Sequence, residues 1–410
     1  MQFNFSLDQE HTPKRLAVKL SARGEQYVLQ GHPWVFSDSI AKINKDASTG
    51  DLAIIFGRKK NKMIGIGLYD AESPIRIKMI YCSSVPVIVD DAFFQRKIEA
   101  AYQKRRSLLQ TNTNSYRLLF GENDGFPSFI ADVYDKVLVI KLYSEIWLSY
   151  LKSILESLIV ISETDTVVLR LSRGLQQSNN HQFKDGDVLY GELNDEVIQF
   201  VEHGVYFSAN VIKGHKTGYF LDHRENRRQV GLLSKGKTVL DVFSYAGGFT
   251  VHALANVAKE VTSTDISEQA LDIAKQNAML NNYSGKHITI TGDAFQVLEQ
   301  LIAQQKSFDV VVIDPPSFAK QQSEVQLAKK KYAQLASLGV RLTAKQGLLV
   351  LASCSSRVSA NSFYDINAQT LIASGRRFDI VQKTQHDSDH PIGFPEGAYL
   401  KCGYYRFLDK

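Results

Sequence analysis

The sequence predicts an α/β protein: a doubly wound seven-stranded sheet preceded by a small β-barrel and a small α+β module. Three observations carry this. From Gly218 onward, apolar strand-like segments alternate with amphipathic helix-like ones. The runs VVVID and GLLVLAS are nearly continuous in apolar residues, the pattern of strands covered on both faces of a parallel sheet. The first 80 residues instead show short β segments cut by turns, with no long helical period.

The elements follow in order. Val18–Leu20, Leu52–Phe56, Met63–Leu68 and Ile75–Ile80 are the candidate barrel strands, separated by Gly24, Gly31–Pro33, Gly50 and Gly57–Asn61. Ala92 to Leu109 spaces Phe93, Phe94, Ile98, Tyr102 and Leu109 at helical intervals among Arg96, Lys97, Lys104, Arg105 and Arg106, which predicts a linker helix with a basic outer face. The module that follows has strands at Phe129–Asp132, Val137–Leu142, Val167–Arg170 and Glu196–Glu202 and a helix from Glu145 to Val160. In the last part the strands are Val239–Phe243, Glu260–Thr264, His287–Thr291, Val310–Ile313, Gly347–Leu351, Phe378–Thr384 and Gly403–Leu408. Helices between them are expected over Thr250–Ala258, Glu268–Asn281, Phe295–Gln304, Gln322–Leu342 and Ser359–Ala373, which makes the sheet a parallel one. The domain boundaries this implies are 1–85, 86–205 and 206–410.

Composition narrows the class. The chain has 410 residues, enough for two or three domains with cores of their own. Its three cysteines, Cys82, Cys354 and Cys402, are too sparse for a disulfide scaffold and have no metal-ligand spacing; they fit a reducing compartment, the cytoplasm by default. The start MQFNFSLDQE has no basic end followed by an apolar run, and no stretch is long and apolar enough for a bilayer, so neither secretion nor membrane insertion is indicated. Of the 48 Lys plus Arg and 43 Asp plus Glu, residues 1–120 hold 18 and 11, a local +7, while the remainder is −2. A basic end raises the odds of a polyanionic partner, although an ordinary solvated surface gives the same number.

In a doubly wound sheet, ligands bind at the carboxyl ends of the strands, so the residues just beyond each strand carry the chemistry. The first strand ends in Asp241 and runs into a glycine-rich turn, Asp241 to Thr250, with Gly247 and Gly248 where backbone must approach a ligand. The second ends in Asp265, a carboxylate suited to both hydroxyls of a ribose or, in the alternative, to capping the next helix, a task Ser267 can perform. Gly292–Asp293–Ala294 follows the third, with Asp293 placed for the exocyclic amine of a purine. The spacings together favour an adenosine ligand.

After the fourth strand comes IDPPSF, Ile313 to Phe318, in which two prolines of fixed φ form a rigid corner behind Asp314. Such a corner suits a planar base and has no use in hydride transfer; a plain structural turn is the alternative. LASCSS places Cys354 at the end of the fifth strand, among serines and facing Asp314's cleft, where a thiolate nucleophile competes with a structural thiol. Cys82 and Cys402, inside apolar strand patterns, read as buried structural thiols.

The whole chain resembles the class I S-adenosylmethionine-dependent RNA methyltransferases, within them the large-subunit ribosomal RNA cytosine-5 methyltransferases with an N-terminal PUA domain. The resemblance rests on GHPWVFS (Gly31–Ser37), GENDGFPSFIAD (Gly121–Asp132), GHKTGYFLDHRENR (Gly214–Arg227), FSYAGGF, DPPSF, SCS and HPIGFPEGAYLK (His390–Lys401). It implies a Rossmann-like methyltransferase domain behind a PUA-like barrel, S-adenosyl-L-methionine as cofactor and ribosomal RNA as partner. By this resemblance, Phe220, Asp222 and Arg224 match the segment closing over the methionine part, with Arg224 a partner for its carboxylate. Ser244, Tyr245 and Gly247 match the loop beneath that part, Asp265 the ribose ligand, and Asp293 with Ala294 the adenine pocket. Asp314 matches the carboxylate between cofactor and base, and Cys354 the nucleophile.

Cytosine carbon 5 is a poor nucleophile, so the implied chemistry starts with addition of a Cys354 thiolate to carbon 6, with Asp314 dispersing charge at nitrogen 3. Ser317 stands where many relatives carry a second cysteine, so the base that removes the carbon 5 proton is unassigned. The barrel and basic helix are then expected to hold RNA while a base is splayed into the cleft. Trp34 and Phe36 are expected in the barrel core rather than on RNA, and Lys329–Lys330–Lys331 on a solvated helix face. Two rivals stay open: a guanine- or adenine-nitrogen methyltransferase, and a non-catalytic RNA-binding assembly protein. A homodimer is also left open.

Overall fold

The computed structural model describes residues 1–6, 12–59, 61–178 and 180–409. The Gly57–Asn61 turn and the opening decapeptide therefore fall partly outside the described residues. The chain divides into two compact units: residues 1–200 with 208–221 and 388–397, and residues 201–207 with 222–387 and 398–410.

The first unit begins with six strands, β1 (Arg15–Leu20), β2 (Trp34–Val35), β3 (Ile40–Ile43), β4 (Leu52–Phe56), β5 (Met63–Tyr69) and β6 (Ile77–Tyr81), in the order β2-β6-β5-β4-β1-β3. A helix absent from the sequence reading, α1 (Ala22–Leu29), starts where Ser21 accepts the amide of Gly24. Its eight residues are too few for a strong period, and the glycine within it reads as a turn. Leu16, Val18, Val28, Ala53, Ile55 and Ile77 form the core on one side of this sheet.

The other side of the sheet shares a second core with the α+β module, in which Leu52, Ile66, Leu68 and Ile80 meet Phe93, Phe94, Phe126 and Trp147. The module comprises α2 (Asp91–Arg105), β7 (Ser115–Phe120), β8 (Phe129–Tyr134), β9 (Val137–Leu142), α3 (Leu151–Ser162), β10 (Thr166–Leu171), α4 (Arg173–Gln176) and β11 (Val188–Tyr190), with sheet order β11-β10-β9-β8-β7. Asp90 caps α2 by accepting the amide of Phe93. The expected basic outer face of α2 needs correction. Arg96, Lys104 and Arg106 are exposed, but Arg105 is fully buried, its guanidinium forked onto Asp124 at 3.0 and 2.6 Å. Helical spacing assigned it to the surface, yet a long guanidinium folds inward when a bidentate carboxylate is waiting there.

The aromatic residues of GHPWVFS also depart from expectation. Phe36 is 44% exposed. Trp34 is half-buried, its indole N–H donating to Glu122 at 3.2 Å and its ring meeting Phe394 edge-on at 5.1 Å. Cys82, expected in the core, is exposed because β6 ends one residue before it.

β12 (Val197–Glu202) and β13 (Val205–Asn210) form a two-stranded ribbon. The remaining elements are α5 (Arg224–Leu233), β14 (Thr238–Val242), α6 (Gly248–Ala255), β15 (Glu260–Asp265), α7 (Glu268–Met279), β16 (Lys286–Thr291), α8 (Ala294–Ala303), β17 (Phe308–Ile313), α9 (Val325–Leu342), β18 (Thr343–Ser353), α10 (Ala360–Ala373), β19 (Phe378–Thr384) and β20 (Lys401–Phe407). Their seven-stranded sheet has the order β16-β15-β14-β17-β18-β20-β19. The reversal of direction between β15 and β17, on either side of β14, is the switch point at which such sheets bind ligands.

The sheet is not wholly parallel as predicted. β20 inserts antiparallel between β18 and β19. Apolar runs report burial of both faces, not strand direction, so the sequence pattern could not reveal the reversal. Among the described residues no helix is long and apolar enough to cross a membrane.

Candidate active site

The second unit gathers its reactive groups where β14, β15, β17 and β18 end. β14 leads into a turn whose backbone is strained: Phe243 and Tyr245 have φ of 64° and 47°, and Gly247 has φ of 80°. Glycine is required at the last position, since an added Cβ would lie 2.7 Å from the Cβ of Ala274. The turn is tied to β15 on both sides, the Ser244 amide donating to Thr264 O at 3.0 Å and the Tyr245 amide to Asp265 Oδ2 at 3.0 Å. Asp265 Oδ1 accepts from the Ser267 amide at 2.9 Å, and Ser267 itself caps α7 through Ala270. Asp265 is thus fixed in orientation by two amides while its carboxylate stays partly exposed at the strand's end.

Asp241 lies deeper, 1% exposed, where Oδ2 accepts the amide and hydroxyl of Thr250 at 3.0 and 2.6 Å. Burial, with Asp314 and Asp265 adding repulsion, pushes its carboxyl up to about 7. Oδ1 has no partner among the described residues. Asp293 is exposed and caps α8 by accepting the amide of Gln296 at 3.2 Å, and Ala294, buried, opens that helix. The amide of Gly292 reaches Asp265 O at 3.0 Å, which keeps the Asp293 turn beside the end of β15.

Asp314 follows β17, its amide 3.3 Å from Val242 O, so it stands next to the strained turn. The Cys354 thiol, half-buried after β18, points at the Pro315 carbonyl at 3.8 Å. The proline corner therefore holds Asp314 and Cys354 on one edge. Ser317 bends back onto Ala319 O at 3.2 Å. In the lysine run, Lys330 is exposed while Lys331 extends over the ring of Phe318, 5.0 Å from its centroid.

His223 was not singled out by sequence reasoning. It is 5% exposed, with Nε2 3.4 Å from Asp314 Oδ1. Asn226 donates to its Nδ1 at 3.1 Å, and the orientation of that amide is set by Thr384 and Tyr404, whose hydroxyls donate to Asn226 Oδ1 at 2.6 and 3.0 Å. Burial works against a charged imidazole, but the Asp314 carboxylate outweighs it and holds His223 above its ordinary value. The available signal was its place inside DHRENR, between Asp222 and Arg224.

The methionine-end residues are placed less uniformly. Asp222, buried, accepts the Tyr399 hydroxyl at 2.7 Å. Arg224 is fully buried and its Nη1 pairs with Asp387 at 3.0 Å, so its guanidinium already has a carboxylate. Phe220 belongs to the first unit, where Lys216 Nζ lies 4.9 Å from its ring centroid. Asp222, Arg224, Asp241, Ser244, Tyr245, Gly247, Asp265, Asp293, Ala294, Asp314 and Cys354 all belong to the second unit.

Comparison with known proteins accords with this geometry. The family model described as S-adenosylmethionine-dependent methyltransferase matches residues 116–360, and that described as PUA-like domain matches residues 18–81. A Deinococcus radiodurans protein named Ribosomal RNA large subunit methyltransferase is 39% identical, covering 95% of this chain and 96% of its own. The Ribosomal RNA large subunit methyltransferase I of Pseudoalteromonas atlantica is 34% identical, covering 94% and 97%. Among solved structures, a Streptococcus mutans protein described as a SAM-dependent methyltransferase superposes with a TM-score of 0.78 at 19% identity, over 95% of this chain and 99% of its own, which speaks for the fold.

Proposed function

The chain belongs to the S-adenosylmethionine-dependent methyltransferases, and from that membership we propose that it methylates carbon 5 of a cytosine in large-subunit ribosomal RNA. The names of the relatives supply the RNA. The observation that carries the reaction class is Cys354 beside the Asp314–Pro315–Pro316 corner.

S-adenosylmethionine fits the residues present. The strained turn lets backbone approach a ligand, Asp265 is held by two amides at the ribose position, and buried Asp241 Oδ1 lacks a partner among the described residues. In this reading Asp265 holds the ribose, Asp293 and Ala294 border the adenine, Ser244, Tyr245 and Gly247 lie beneath the methionine part, and Asp241 fixes the turn through Thr250. Asp222 and Arg224 serve the methionine end, Arg224 sharing its charge with Asp387. When bound, the cofactor supplies an electrophilic methyl group.

The remaining steps fall to this chain's own side chains. Cys354 Sγ forms a bond to carbon 6 of the cytosine, and the displaced ring electrons make carbon 5 nucleophilic toward the methyl group. A protonated Asp314 donates to nitrogen 3 and so disperses the charge that thiolate addition places on the ring, with His223 behind it to keep its carboxyl group oriented. Loss of the carbon 5 proton then expels the Cys354 thiolate and restores the ring.

We assign residues 1–85 and 86–205, with the basic N-terminal third, to holding the RNA, and 206–410 to methyl transfer, in the cytoplasm where ribosomal RNA is modified. A homodimer has no support among the described residues and forms no part of the reading. Mass spectrometry of ribosomal RNA from cells lacking the protein tests it: one 5-methylcytosine should vanish from the large subunit. Persistence of every such residue while another methylated base disappears would transfer the assignment to a base-nitrogen methyltransferase.

A further inference from the structure

Lys401 is the first residue of β20 and is 2% exposed. The antiparallel register places it opposite Ser353, the residue before Cys354. Its three ammonium donors are all used, and all on neutral carbonyls: Ser355 O, Val358 O at 2.6 Å and Tyr399 O at 3.1 Å. Two of these acceptors lie in the loop that carries Cys354. Among the described residues Lys401 makes no ion pair with a carboxylate.

A buried ammonium bonded only to neutral carbonyls is costly to hold, and such charges are ordinarily matched by an anion. Cys354 directly follows Ser353, the strand partner of Lys401, and directly precedes Ser355, whose carbonyl the ammonium holds, so the thiol lies between two points tied to Lys401. The thiolate is the reactive form of Cys354. We propose that Lys401 is a positioning residue for Cys354, its ammonium fixing the Ser355–Val358 loop and standing as the counter-charge to the thiolate. This rests on the reading of Cys354 as nucleophile.

The other groups facing the thiol do not take this part. Asp314, across the corner, is a carboxyl group and cannot supply a positive charge to a thiolate. Tyr332 of α9, pushed up to about 12 chiefly by burial, is neutral and binds the Ser353 hydroxyl at 2.9 Å. Burial drives Lys401 down to about 8, and Cys354 acts in the opposite sense, which is the mutual stabilisation expected of such a pair.

The test is the pH profile of Cys354 alkylation by iodoacetamide, read by peptide mass spectrometry in full-length protein carrying Cys82→Ser, because Cys82 is exposed and Cys402 is buried. With Lys401 present, the midpoint is expected below the roughly 8.5 of a free thiol. Lys401→Met should raise the midpoint and slow alkylation at pH 7 about tenfold, the effect of one pKa unit. A midpoint at or above about 8.5 with Lys401 in place, or a folded Lys401→Met protein with an unchanged profile, overturns the proposal. Should Lys401→Met fail to fold, the midpoint of the protein retaining Lys401 decides alone. Because alkylation needs no RNA and no methyl transfer, its outcome is independent of whether Cys354→Ala abolishes methylation, which tests the cytosine-5 reading by itself.

Discussion

Around Glu202, on the buried side of the second unit, both carboxylate oxygens are occupied: Arg227 donates at 2.6 and 2.7 Å and His252 approaches at 2.8 Å. Around Asp314 and Cys354, at the ends of the strands, the contacts include a 3.4 Å approach to His223, a 3.8 Å approach from thiol to Pro315 carbonyl, and a lysine held by backbone carbonyls. Both clusters are rich in ionisable groups, and they differ in how short their side-chain contacts are. A carboxylate with its donors satisfied holds strands and helices together and has no capacity left for a ligand. Groups held by longer contacts beside a rigid proline corner can exchange those contacts for a substrate's when it arrives.

The sharpest way to break the contrast is at its reactive end. Cys354→Ala should reduce methyl transfer at least about a thousandfold, whereas Cys402→Ala, at the residue after Lys401, opposite Ala352 and fully buried, should leave turnover per folded molecule near normal. Radiolabel transfer to large-subunit RNA measures both. Equal losses would mean that strand-end placement does not distinguish the two thiols.

Next in size is the saturated cluster. Glu202→Gln takes the carboxylate charge away from buried Arg227 and should cost roughly 3–5 kcal/mol of stability in denaturant unfolding, with little change in turnover of the folded fraction. Arg227 and His252 overcome burial to hold the Glu202 carboxyl well below the carboxylate range. Its contribution is therefore complete above the pKa of the unfolded carboxyl and is lost as pH falls through the folded one. Acid titration of stability should show this loss in the unaltered protein and not in Glu202→Gln.

Asp314→Asn should show the reverse balance: turnover down by about a hundredfold or more and stability changed by no more than about 1 kcal/mol. The smallest of these effects is expected at Asp265. Replacement by Ala should weaken S-adenosylmethionine binding by about tenfold in calorimetry, the loss of one well-placed hydrogen-bonding group, and unchanged binding would remove Asp265 from the site.

What was legible in the sequence follows the same division. Strand-end residues such as Asp265, Asp314 and Cys354 could be read because spacing relative to an apolar run fixes their place at the sheet's edge. Asp241 was read to the right strand end, but its depth, and its use by Thr250, depend on how α6 seats. His223 and Lys401 were visible only as members of longer motifs, since their partners are 91 residues later at Asp314 and 43 to 46 residues earlier at Val358 and Ser355. Long-range pairing also hid the burial of Arg105 and the antiparallel β20. Periodicity reports which face an element buries, and it is silent on which distant element meets that face.

In the proposed reaction Cys354 bonds covalently to a cytosine during methylation. Large-subunit RNA carrying 5-fluorocytidine tests it most directly, because fluorine at carbon 5 cannot leave as a proton and so traps the adduct. Incubated with the protein and S-adenosylmethionine, it should give a protein–RNA species stable to denaturation, with the linked peptide containing Cys354. Methylation of ordinary RNA without any such species, with the new methyl group on a ring or exocyclic nitrogen, would contradict the account.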